Sequence, residues 1–276
     1  MQTVHTLENE ELSVSILDPL ADHERFGTRY CTGGYIFQVK NSRLGNLLSG
    51  PTYPDDFNVF DGQGIPDSFS HNPLKQQASD REGLVIGIGR CDLEANTVTE
   101  FCHWDLTRTD TSITLCTEQQ LGDFALRLER HLTLIGRTVR SEITLDNTGN
   151  RPIPISWYPH PFFPQLDNTD ELCRFNIPVD LSENDGYTLG ENGFITRKAW
   201  PGWDQAGHFL ALDHQATTPL IVLQKHPLVG LVAASCSYIP GFFPIWGNRN
   251  TFSWEPYLER TVFKNQTLSW AISYDF

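Results

Sequence analysis

The chain is short of several things, and each shortage removes a class of function. It holds a single methionine and only six cysteines in 276 residues, and no two cysteines stand in a Cys-x-x-Cys pair, which leaves no zinc knuckle and no thioredoxin-type redox site to build. Reduced, mostly buried thiols are expected. Cationic charge is scarce: 20 Lys and Arg against 34 Asp and Glu give a net charge of -14. A partner recognised through phosphates, whether DNA, RNA or an anionic membrane surface, is therefore not expected. No run approaches the ~18 to 20 apolar residues of a membrane span, and the N-terminal stretch lacks a basic region followed by an apolar one. These features read as a soluble, cytoplasmic protein. The sequon Asn265-Gln266-Thr267 would matter only in a secreted chain.

Nucleotide and metal signatures are missing too. There is no Gly-x-x-x-x-Gly-Lys-Ser/Thr loop, Gly87-Ile88-Gly89 lacks the third glycine of a dinucleotide fingerprint, and neither Gly-x-Ser-x-Gly nor His-Glu-x-x-His occurs. No metal and no cofactor is expected. Any catalysis has to be plain acid/base chemistry.

What the chain has is strands. Short β-branched and aromatic runs recur at residues 12–18, 35–39, 84–89, 98–104 and 112–118, each bounded by Gly, Pro, Asn or Asp. Residues 124–135 and 137–147 alternate polar with apolar and are joined at Gly136, which predicts the central hairpin of an antiparallel sheet. Further strands are expected at 208–213, 220–225, 231–235 and 266–276. The prolines of PIPISWYPHPFFPQ forbid a helix and demand an extended, kinked segment. No window carries a capped 3.6-residue apolar period, and no repeat or linker divides the chain. Residues 1–276 are read as one all-β domain, a large antiparallel sandwich, with residues 50–83 as its longest irregular stretch and a candidate functional loop.

His160 lies between two prolines in Trp157-Tyr158-Pro159-His160-Pro161-Phe162-Phe163-Pro164, a rigid apolar setting of the kind that tunes a proton donor. The run DNTGNRPIPISWYPHPFFP resembles the segment of the aldose 1-epimerase (galactose mutarotase-like) family in which an Asn-containing turn leads to a His-Pro-aromatic motif. Gly202-Trp203-Asp204-Gln205 is similar to that family's Gly-Tyr-Asp-His stretch, and Phe252-Ser253-Trp254-Glu255-Pro256 to its Leu-Glu-Pro. SWAISYDF resembles the closing strand. The likeness covers much of residues 130–276.

The resemblance implies a β-supersandwich that binds an aldohexose and interconverts its α and β anomers. His160 would be the general acid, Glu255 the general base and Asp204 a ligand for sugar hydroxyls. Burial beside Trp254 and Tyr257 would raise the carboxyl's affinity for its proton, and the carboxylate would in turn favour a protonated imidazole. Trp203, with Trp200, Trp246 and Trp254, offers flat faces for a sugar ring. The family's early arginine is placed at Arg90, with Arg81 as a rival, and His103 is a weak candidate for a second histidine, with strand packing the favoured role. Two alternatives accompany this expectation: a hexose-6-phosphate mutarotase using Arg81, Arg90 and Arg127, and a carbohydrate-binding module without turnover.

Overall fold

The computed structural model describes residues 4–21, 25–53, 62–69, 73–166, 171–204 and 206–276. Parts of the 50–83 stretch (54–61 and 70–72), and Gln205 of the Gly-Trp-Asp-Gln segment, lie outside the described residues. Among the described residues the regular structure is β, apart from a 3-10 turn at Pro201–Asp204. No helix among the described residues is long and apolar enough to cross a membrane.

The spine is a ten-stranded antiparallel sheet. The predicted hairpin is present but lies off-centre, nearer one edge of the sheet: Phe124–Ile135 pairs with Thr138–Asn147 around Gly136, whose φ of 56° is left-handed, and the middle pair is Gly230–Cys236 with Thr267–Asp275. Ser112–Leu121 flanks one side and the terminal strand Thr267–Asp275 the other, and Gly230–Cys236 and Ile221–His226 continue the sheet. Alternation decides the inner face. Along Phe124–Ile135 the buried positions are Phe124, Leu126, Leu128, Arg130, Leu132 and Leu134, with half-buried residues between them.

Against this sheet lie shorter ones that carry the chemistry. One joins Leu258–Val262, Ile153–Pro159 and Asp67–Ser68, and another joins Phe163–Pro164, Thr251–Trp254, Pro244–Gly247 and His208–Ala211. Trp157, Phe163, Trp254 and Trp270, all 2% exposed or less, belong to the shared core. An ion pair also crosses the interior: Arg130 of the large sheet, 1% exposed, grips Asp67 of the facing sheet with its two terminal guanidinium nitrogens and also donates to Sγ of Cys31 at 3.2 Å.

Local chemistry fixes the segment that follows the hairpin. Buried Asn147 donates to the carbonyls of Arg151 and Val262, both at 2.8 Å, and accepts from the Gly149 amide at 3.0 Å. This locks the turn that launches Ile153–Pro159. One expectation fails: residues 84–89 are not a single strand. Glu82–Val85 and Gly89–Asp92 form a hairpin, because Gly87 at φ 75° reverses the chain there. The six cysteines are free, four of them buried.

Candidate active site

Extended segments present alternate residues to the same side. From the last residues of Ile153–Pro159 onward, this alternation sends Tyr158, His160 and Phe162 toward one cavity, while Trp157 and Phe163 enter the core. On the neighbouring segment Glu255 and Tyr257 face the same cavity, while Trp254 is fully buried and stacked between Phe163 and Tyr274. The two segments reach the site through Phe163–Pro164 and Thr251–Trp254, paired in register.

The backbone around His160 has no slack. Its amide donates to Pro66 O at 2.8 Å and that of Phe162 donates to Gly64 O at 2.8 Å. Gly64 has φ 75° and approaches so closely that a Cβ there would stand 2.3 Å from Ile36 O. Glu255 is tied by its own amide to Pro244 O at 2.9 Å.

Between these two anchors the side chains meet: Nε2 of His160 stands 3.2 Å from Oε1 of Glu255, with both residues about one-twentieth exposed or less. Ser253 Oγ lies 2.9 Å from His160 Nδ1, the second partner that holds an imidazole in one orientation. Phe162 stacks on the imidazole at 4.3 Å. Burial pushes the Glu255 carboxyl up to about 8, although the nearby Arg29 cation pulls it back. Burial also drives the His160 imidazole well below its ordinary 6.5, and Arg29 acts in the same direction. The carboxyl therefore moves as the sequence suggests, and the imidazole moves the opposite way. Desolvation is the largest influence on both groups, so burial favours the uncharged form of each, a neutral imidazole beside a carboxylic acid.

The cavity has a volume of about 840 Å³. Trp203 and Asp204 line it, as do Trp246, Asn248, Arg249 and Asn250. Trp203 is held by its indole N–H to Lys198 O at 3.1 Å, and buried Arg197 lies 4.2 Å from its ring centre while donating to Asn248 O at 2.6 Å. Asp204 is exposed at the mouth. Thus His160, Glu255, Asp204 and Trp203 share one cavity.

Arg90 does not join them. It sits on Gly89–Asp92, 3.6 Å from Glu100, and donates to Gln120 O. Arg81 pairs with Asp92 and Glu94, and Arg127 with Glu129 and Asp146. His103 is not packed in the sheet; its side chain is 80% exposed beside Asp105. Trp200 packs on Trp203 and His208 without lining the cavity. Besides exposed Arg249, the cavity is lined by Arg29, half-buried, its guanidinium 5.1 Å from the Tyr30 ring centre and hydrogen-bonded to the Tyr158 hydroxyl. No motif marks Arg29, whereas Tyr158 and Tyr257 carry a usable signal: each stands two residues from His160 or Glu255, and their rings stack at 4.4 Å.

Neither a protein-family model nor a curated sequence matches the chain. Solved structures do. A galactose mutarotase related enzyme from Lactobacillus acidophilus superposes with a TM-score of 0.61 at 12% identity, covering 99% of this chain and 96% of that one. A galactose mutarotase-like protein from Lactobacillus casei gives 0.56 at 13% identity, with 99% of both chains covered. Another from Clostridium acetobutylicum gives 0.56 at 11%, with 98% and 93% covered. The chain has the galactose mutarotase-like fold, a large antiparallel β-supersandwich.

Proposed function

We propose that the protein is an aldose 1-epimerase-like isomerase that opens and recloses the ring of an aldohexose, using His160 and Glu255 as an acid/base couple. The observation that carries the proposal is their 3.2 Å approach in a cavity lined by both residues. Ring opening needs one group to take the proton of the anomeric hydroxyl while another protonates the ring oxygen. Glu255 is assigned as base and His160 as acid. That assignment uses the imidazolium–carboxylate form of the pair, one proton hop from the neutral form that burial favours. Rotation about the bond from C1 to C2 in the open aldehyde, followed by reversal of both transfers, yields the other anomer without a cofactor. Arg29, Tyr158, Asp204, Asn248 and Asn250 supply hydrogen-bonding groups for hydroxyls, and Trp246 and Trp203 supply apolar faces.

The test is polarimetry of freshly dissolved α-D-glucose and α-D-galactose with wild type, His160→Ala and Glu255→Ala. Wild-type acceleration that falls about 10²-fold or more in each variant is expected. Acceleration that survives both substitutions removes the assignment. Catalysis confined to hexose 6-phosphates would favour a phosphosugar substrate, with Arg29 and Arg249 as the cations at hand.

A further inference from the structure

The cavity's apolar wall does not stop at its mouth. Tyr158 stacks on Tyr257 at 4.4 Å, Tyr257 meets Phe242 edge-on at 5.2 Å, and Phe242 lies 6.5 Å from Phe209 at 33°. Phe209 in turn faces Trp246 across the pairing of His208–Ala211 with Pro244–Gly247. The row therefore starts beside Glu255, passes out of the cavity at Phe242 and returns to the cavity wall at Phe209 and Trp246. Its outer members are wet: Phe209 is 55% exposed and Phe242 41% exposed. Their backbone is anchored, because Tyr257 N donates to Phe242 O at 2.8 Å and Leu212 N to Phe243 O at 3.0 Å. Two fixed aromatic faces held open to solvent form a surface waiting for a flat apolar ligand face.

Size and polarity say what that ligand is. A volume of about 840 Å³ lies toward the top of the roughly 300–1,000 Å³ range that accommodates drug-sized ligands, and a lone hexopyranose is smaller than those. Polar groups accompany the aromatic row at the mouth: Asp204 and Arg249 are exposed there, with Asn250 beside them. Aromatic faces interleaved with hydroxyl-binding groups match a second sugar ring better than a protein surface.

We infer that Phe209 and Phe242 form an outer subsite for a second sugar ring, so that the preferred substrate is the reducing end of a disaccharide or longer glycan. This rests on the epimerase reading of His160 and Glu255. The reducing ring would sit at the dyad, and the ring attached to it would stack on the phenylalanines.

The experiment compares α-glucose with the α-anomers of maltose and lactose and with cellobiose, all of which end in glucose. Rates and calorimetric affinities are measured for wild type, Phe209→Ala and Phe242→Ala. At least one disaccharide is expected to exceed glucose in kcat/KM with wild type, and the disaccharide-to-glucose ratio to fall about fivefold or more in Phe242→Ala. Glucose turnover with a ratio below one for every disaccharide, or a ratio that neither substitution moves, overturns the subsite and leaves the epimerase proposal standing. Disaccharide binding that is tighter than glucose binding and weakened by Phe242→Ala, without turnover of any sugar, keeps the subsite and removes the epimerase. A dimer that Phe242→Ala dissociates, with the sugar ratio unchanged, assigns the aromatic row to self-association and overturns the inference.

Discussion

Arg130 and Asp67 join the two layers of the sandwich by a two-pronged ion pair that is almost wholly removed from water. Asp67 belongs to the short strand opposite Tyr158 and Pro159, and its neighbour Pro66 accepts the His160 amide. The pair is therefore also part of what places the histidine.

Removing one member leaves an uncompensated buried charge. Arg130→Met and Asp67→Leu are each expected to cost about 3–5 kcal/mol in urea unfolding, and the double variant combining them less than their sum. Additive losses would mean that the two charges do not depend on each other.

On the proposed acid/base roles of His160 and Glu255, the pH dependence of kcat/KM follows from the protons on the dyad. The competent pair holds one proton to give and one basic site. Raising the pH through about 8 strips the proton from Glu255, leaving no acid, so activity is expected to fall there. On the other side, burial and Arg29 hold the imidazole well below 6.5, so the acid limb should appear only below that value. A profile whose acid limb lies at 6.5 or above contradicts the buried-pair account.

The same burial has a stability consequence. Glu255 in the unfolded chain titrates at its ordinary 4.5 and in the folded protein at about 8. Between those values the folded state binds more protons than the unfolded one, so its stability falls as pH rises. Glu255→Gln removes this loss. It should unfold near the wild-type temperature around pH 4.5 and several degrees higher at pH 8.5, reflecting a gain on the order of a few kcal/mol, while losing activity. Equal melting temperatures at pH 8.5 would contradict the raised carboxyl.

The sheet was legible because its alternation is local: a period of two along residues 124–147 needs only neighbouring residues to be seen. His160 and Glu255 were legible because rigid prolines and short motifs flank them. Arg130 sits on an inward position of that alternation, but its reason for being there, Asp67, is 63 residues away, and nothing in either local sequence names the other. The hairpin at 82–92 was hidden by apolar continuity, since Val85-Ile86-Gly87-Ile88 reads as strand until the left-handed Gly87 is known. Arg29 was missed for a similar reason: it enters the cavity only through tertiary packing, while Arg90, next to a conspicuous Gly-Ile-Gly, faces Glu100.

That exchange of arginines yields the sharpest contrast. Arg29 acts on both members of the dyad, lowering the proton affinity of His160 and of Glu255 alike, and its guanidinium also holds the Tyr158 hydroxyl. Arg29→Ala should reduce kcat/KM about tenfold or more and move the alkaline limb of the pH profile above its wild-type position near 8, because the carboxyl loses the charge that favoured its ionised form. Arg29→Lys, which keeps the charge but not the forked hydrogen bonds, should hold the limb in place while still losing rate. Arg90→Ala should leave both rate and limb as in wild type, since its partners Glu100 and Gln120 lie away from the cavity. A shifted limb in Arg90→Ala, or an unmoved one in Arg29→Ala, would return the electrostatic role to the arginine that the sequence pointed to.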